Sequence, residues 1–143
     1  RVVNEVRAER LIRQPIDWVG VNYYTRGVGR DDPSAWPERI ARVRQARHAH
    51  TEMGWEVHAP SLTDTLTRLR DRYGNVPVYV TENGAAFYDP PTALGEPHDD
   101  PLRIAYYRDH LRAVRDAVAA GVDVRGYYAW SLFDNFEWGY GYA

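Results

Sequence analysis

Three runs of β-forming, nearly uncharged residues, at 16–24, 76–81 and 124–130, alternate with stretches that each carry a helical pattern. This order of strand, loop, helix, strand, loop, helix, strand constrains the chain more than any other feature. Strands joined through long helical connections do not pair as tight hairpins. They lie parallel, with the connecting helices packed on the sheet. Ile16-Asp17-Trp18-Val19-Gly20-Val21-Asn22-Tyr23-Tyr24 and Val76-Pro77-Val78-Tyr79-Val80-Thr81 read as strands buried on both faces, as in a parallel sheet. The predicted fold class is therefore α/β.

The helices have their own signals. Ser61 is the expected N-cap of the first, with Asp64 three residues on completing a capping box. Leu62, Leu66, Leu69 and Tyr73 fall on one face, and Gly74 stops the helix. Asp100 caps the second helix, with Pro101 at its first position. Ile104, Tyr107, Leu111, Val114 and Val118 form its expected apolar stripe, and Gly121 ends it. Residues 4–14 read as a short polar helix or loop. Residues 26–60 are irregular, and within them Arg39, Arg42, Arg44 and Arg47 read as a solvated helical face in a long surface loop. His48 and His50 have no third ligand spaced nearby, so no metal site is expected there.

A formal net charge of -2 gives no general attraction to nucleic acid or to an anionic membrane surface. No apolar run approaches the length of a membrane span. The absence of cysteine excludes disulfides and thiolate-bound metals, and the expected compartment is reducing and cytoplasmic. The unusual feature is aromatic. Five Trp and eleven Tyr against three Phe are large rings that mostly carry a polar handle, suited to packed cores and equally to surfaces that stack on ligands.

In α/β proteins of this order, chemistry gathers where strands end at their carboxyl side. Here the three strand ends hold Asn22-Tyr23-Tyr24, Thr81-Glu82-Asn83-Gly84 and the segment from Trp130. Glu82 follows a dry strand, where an unpaired charge is expensive. It reads either as a salt-bridging or capping residue or as a nucleophile or base held at a rigid rim. Gly84 is expected to let the backbone turn sharply. Trp130-Ser131-Leu132-Phe133-Asp134-Asn135-Phe136-Glu137-Trp138 joins two indoles to carboxylates and an amide. That surface matches a sugar, which offers apolar C–H faces and a fringe of hydroxyls; the competing reading is an aromatic corner whose Asp134 and Asn135 bond the local backbone.

Four segments in order carry a family likeness: Gly20-Val21-Asn22-Tyr23-Tyr24, Met53-Gly54-Trp55, Val80-Thr81-Glu82-Asn83-Gly84 and Trp130 to Trp138. Through them the chain resembles glycoside hydrolase family 1, the β-glucosidase family, from about residue 9 onward. The resemblance implies a (β/α)8 TIM barrel, of which residues 1–143 are a partial catalytic domain, its C-terminal portion around strands six to eight, incomplete at both ends. It implies a retaining β-glycosidase that hydrolyses O-glycosyl bonds through a covalent glycosyl-enzyme intermediate, with a small-molecule β-glycoside as partner and no cofactor or metal. Glu82 is then the nucleophile and Tyr24 the phenol that orients it. Asn22, Trp130, Glu137 and Trp138 are the implied substrate-binding residues, with Trp130 the platform under the sugar. Family members acting on 6-phosphorylated sugars tend to replace the carboxylate at the position of Glu137, which would repel the phosphate, so an unphosphorylated β-glucoside or β-galactoside is implied.

The chain departs from the family above all in its second carboxyl. Retention needs a second carboxyl about 5 Å from the nucleophile, which the family places in an Asn-Glu-Pro motif. Asn4-Glu5-Val6 has Val for Pro and lies too close before Tyr24, so Glu5 is rejected. The isolated segment is therefore expected to be inactive. The alternatives are a non-catalytic sugar-binding remnant, and a transglycosylase using the same nucleophile.

Overall fold

A computed structural model describes residues 11–89 and 99–141. The elements run β1 (Val19–Asn22), β2 (Gly29–Asp31), β3 (Ile40–Arg42), α1 (Pro60–Tyr73), β4 (Val78–Asn83), α2 (Pro101–Ala119) and β5 (Val124–Ala129). β1, β4 and β5 form one parallel sheet in the order β1-β4-β5. Parallel pairing follows from the helical crossovers, as the element order predicts.

Both helices pack on one face of this sheet. Val21, Tyr23, Val78 and Val80 from the strands close on Leu62 and Leu66 of α1, on Ala113 and Ala117 of α2, and on Val122. Leu62 and Leu66 are fully buried, and truncating either to Ala costs about 2–5 kcal/mol. The opposite face is open among the described residues. Trp18 and Tyr128 are 54% and 57% exposed, and Gly20 and Asn22 are exposed. Strand burial on both faces, expected from the apolar runs, is thus realised on one.

The helix details differ from expectation in three places. α1 begins at Pro60 with Ala59 as its cap residue and no side-chain cap. Ser61 instead pairs its hydroxyl with His58 Nδ1 at 2.9 Å. Proline at the first helical turn supplies a preset φ in place of the cap. Tyr73, placed on the core face by periodicity, is 65% exposed. On α2 the buried residues are Tyr106, His110, Ala113 and Ala117, while Ile104, Leu111 and Val118 are exposed. The helix approaches the sheet through its smallest side chains, where close packing is easiest, and turns its bulkier stripe outward. Its start is as expected, with Asp100 Oδ1 accepting from the Arg103 N–H at 3.2 Å. Gly74 and Gly121, at φ 87° and 93°, mark the helix ends in the left-handed region.

The basic stretch is not helical. β2 and β3 pair antiparallel, Gly29 opposite Arg42 and Asp31 opposite Ile40. The connection carries Pro33 and Pro37, and Arg39 has φ 57°, which no helix accommodates. The expected helix or loop at 4–14 lies mostly outside the described residues, as does Glu5.

Candidate active site

The site begins with an irregularity in β4. Val21 lies opposite Val80, but Asn22 lies opposite Glu82. On the other edge Val80 lies opposite Tyr127, and Asn83 opposite Ala129. β4 therefore carries one extra residue against both neighbours just before it ends. Strict alternation would put Glu82 on the helix face with Val78 and Val80. The bulge reverses this. Glu82 joins exposed Asn22 on the open face, and Asn83 turns toward the helices, where it is fully buried.

Tyr24 continues the alternation of β1 beyond buried Tyr23, and its hydroxyl donates to Glu82 Oε2 at 2.7 Å. The Tyr23 N–H donates to the Glu82 carbonyl at 2.9 Å, so backbone and side chain both tie the two strand ends. Burial, then the hydrogen bond to Glu82, pushes the Tyr24 phenol far above its ordinary range, so it stays a donor. Glu137 adds to that shift through its charge, which brings it within electrostatic reach of Tyr24. Thr81 Oγ1 donates to Asn22 Oδ1 at 2.7 Å and fixes that amide beside the carboxylate.

The segment after β5 is anchored at its first residue. The Trp130 N–H donates to the Asn83 carbonyl at 2.9 Å, and its ring is 45% exposed. Gly84 matters through this approach: its φ is not positive, and a Cβ there would overlap the Trp130 carbonyl oxygen. The sharp turn expected of Gly84 is thus a close approach of two backbones. Glu137 forms an isolated bridge with Gly141 and is half-buried. Trp138 is 94% exposed and packs edge-on against Phe136 at 5.9 Å. No contact among the described residues brings Trp138 to Glu82.

Two features escaped the sequence reading. Trp55 meets the Tyr24 ring edge-on at 5.3 Å, backing the face of the phenol; its place in the Met53-Gly54-Trp55 segment was the available signal. Behind it, Arg26 grips Glu56 with Nε to Oε2 at 3.0 Å and Nη2 to Oε1 at 2.9 Å. These charge-assisted bonds, against the cost of burial and with help from His48 Nδ1 at the same Oε1, hold the Glu56 carboxyl down at about 2. Thirty residues separate Arg26 from Glu56, so spacing offers no hint of the pair. Folding also supplies the neighbours that spacing denied to His48: the donor atoms of His48, Glu56 and His58 lie within 4.8 Å of one another. Glu56 is already neutralised by a guanidinium, so this cluster reads as an ion-paired brace.

Residues 2–143 match the sequence profile of glycosyl hydrolase family 1. A bifunctional β-D-glucosidase/β-D-fucosidase of Bifidobacterium breve is 43% identical over 148 residues, covering 93% of this chain and 32% of that protein. A β-glucosidase of Agrobacterium sp. is 43% identical over 141 residues, covering 96% and 30%. The solved family 1 β-glucosidase of Thermotoga maritima superposes with a TM-score of 0.89 at 36% identity, over 98% of this chain and 31% of that one. The chain thus spans about a third of the length of the relatives it matches.

Proposed function

This chain belongs to glycosyl hydrolase family 1, and from that premise we propose that the polypeptide carrying it is a retaining β-glycosidase with Glu82 as nucleophile. The three strands and two helices are then part of a (β/α)8 barrel, and the open face of the sheet is its inner side. The observation that carries the reading is the Tyr24 hydroxyl on Glu82 Oε2 at 2.7 Å, at the carboxyl end of a parallel strand. The bond fixes one oxygen. Among the described residues Oε1 has no hydrogen bond, and it is the oxygen free to attack.

The reaction runs in two displacements. Glu82 Oε1 bonds to the anomeric carbon as the bond to the aglycone oxygen breaks, and that oxygen leaves with a proton from a second carboxyl. Water then attacks the same carbon, gives its proton to that second carboxylate, and releases Glu82. The second group belongs to the family's Asn-Glu-Pro motif, which these 143 residues do not contain, so the segment by itself is proposed to be inactive. Trp130 supplies the platform for the sugar ring, and Asn22, Glu137 and Trp138 meet its hydroxyls. The Glu137 carboxylate favours an unphosphorylated β-glucoside or β-galactoside over a 6-phosphorylated one.

The test is Glu82→Ala in the intact polypeptide. Activity on an aryl β-glucoside should fall by a factor on the order of 10⁴. Azide should then restore turnover by entering the vacated face, and the product should be the α-glycosyl azide. Retained activity, or a β-configured azide product, would refute the assignment.

A further inference from the structure

The bulge that sends Glu82 outward sends Asn83 inward, and both its carboxamide and its backbone carbonyl meet parts of the site's frame. Its Nδ2 donates to the Tyr23 carbonyl at 2.6 Å and to the Tyr106 hydroxyl at 3.0 Å. Its Oδ1 accepts from the Tyr127 hydroxyl at 2.5 Å. Its backbone carbonyl accepts from the Trp130 N–H at 2.9 Å. Tyr106 in turn donates to the Tyr24 carbonyl at 3.3 Å. One fully buried amide thus reaches the end of β1, the helix α2, the strand β5 and the start of the Trp130 segment. It adjoins Glu82 in the chain and touches Tyr24 through one intermediary. We propose that Asn83 is a positioning residue, whose carboxamide, held by Tyr106 and Tyr127, sets the alignment of Glu82 against Tyr24.

The chemistry favours an amide at this place. Two donors and an acceptor are needed in opposite directions, toward a carbonyl and a hydroxyl on one side and a phenol on the other. A carboxylate offers no donor and would set a buried negative charge beside Glu82. An alanine would leave the Tyr127 hydroxyl and the Tyr23 carbonyl without this partner in a dry site. In either case the end of β4 is no longer fixed against the end of β1. A displacement of about 1 Å at a reacting group costs roughly 100-fold in rate.

The inference rests on the reading of Glu82 as nucleophile, and its test separates the two. The intact polypeptide carrying Asn83→Ala, and separately Tyr127→Phe, is treated with 2,4-dinitrophenyl 2-deoxy-2-fluoro-β-glucoside. The inactivation rate constant, the inactivator's half-saturation concentration and the labelled residue are recorded. Tyr127→Phe removes one hydroxyl from a side chain that otherwise keeps its packing, which guards against loss of fold in the alanine variant. The expected result is a fall in the inactivation rate of about 100-fold for Asn83→Ala and about 10-fold for Tyr127→Phe. Half-saturation should stay within about threefold, with Glu82 labelled throughout. A merely structural role would lower melting temperature and leave that split unchanged. An unchanged rate with Glu82 labelled, or rate and half-saturation moving together, overturns the role of Asn83 alone. A label on another residue overturns both readings.

Discussion

Glu82 and Tyr24 meet because two strand ends are brought level, and the hydrogen bond between them is short and charge-assisted. A bond of this kind to an ionised group contributes about 1.5–3 kcal/mol. Tyr24→Phe keeps the ring against Trp55 and removes only the hydroxyl. In the intact polypeptide it should lower kcat/KM by roughly 10- to 100-fold, measured on an aryl glucoside. The pairing was legible in the sequence only through the family likeness; nothing in the spacing of the two residues indicates contact. Trp130 and Glu137 were legible as a sugar-like surface, and Asn83 stood out only as a member of the Val80-Thr81-Glu82-Asn83-Gly84 segment. Its hub depends on Tyr106 and Tyr127, which lie in other elements and carry no local mark.

At the scale of elements, the parallel order was readable because hydrophobic runs and helix signals alternate without ambiguity. The bulge in β4 was not. Alternation places Glu82 beside Val78 and Val80, and only the pairing with both neighbours shows the extra residue. The face of α2 was misread for a related reason. Ile104, Leu111 and Val118 outweigh Ala113 and Ala117 in any hydrophobic pattern, yet close helix–sheet packing selects the small residues and with them His110. That imidazole is fully buried, stacked on Tyr106 with centroids 3.9 Å apart, and pairs its Nδ1 with the Tyr106 carbonyl at 2.8 Å. Its Nε2 meets no partner among the described residues. Burial, the largest influence, lowers its proton affinity below that of a free histidine. The unfolded chain therefore binds the proton more readily than the folded one. Stability is full above the unfolded value, about 6.5, and is lost as pH falls from there toward the lower folded value. Melting temperatures between pH 8 and 5 should fall more steeply for the native protein than for His110→Gln. Equal slopes would remove His110 from the account.

At the scale of the molecule, the chain covers about a third of the length of a family 1 β-glucosidase, a fold in which helices ring the outside of a parallel barrel. The open sheet face with Trp18 and Tyr128, and the outward stripe of Ile104, Leu111 and Val118 on α2, are apolar surfaces of the sort that a complete barrel covers. Produced alone, the 143-residue segment should bind a hydrophobic dye such as ANS strongly and self-associate. The intact polypeptide should do neither. A monodisperse, dye-silent segment in sedimentation would contradict this. Barrel membership was legible from four motifs in order, whereas the surface that the apolar stripe of α2 faces was not. A hydrophobic pattern marks which surface is to be buried and leaves open which neighbour buries it.

The most direct test of the whole account is to trap the intermediate. The intact polypeptide is inactivated with a 2-deoxy-2-fluoro-β-glucosyl fluoride and digested, and the sugar-bearing peptide is sequenced by mass spectrometry. The account predicts one fluoroglucosyl unit per chain, on Glu82 within Val80-Thr81-Glu82-Asn83-Gly84. Attachment to any other side chain, or inactivation without a covalent adduct, would contradict it.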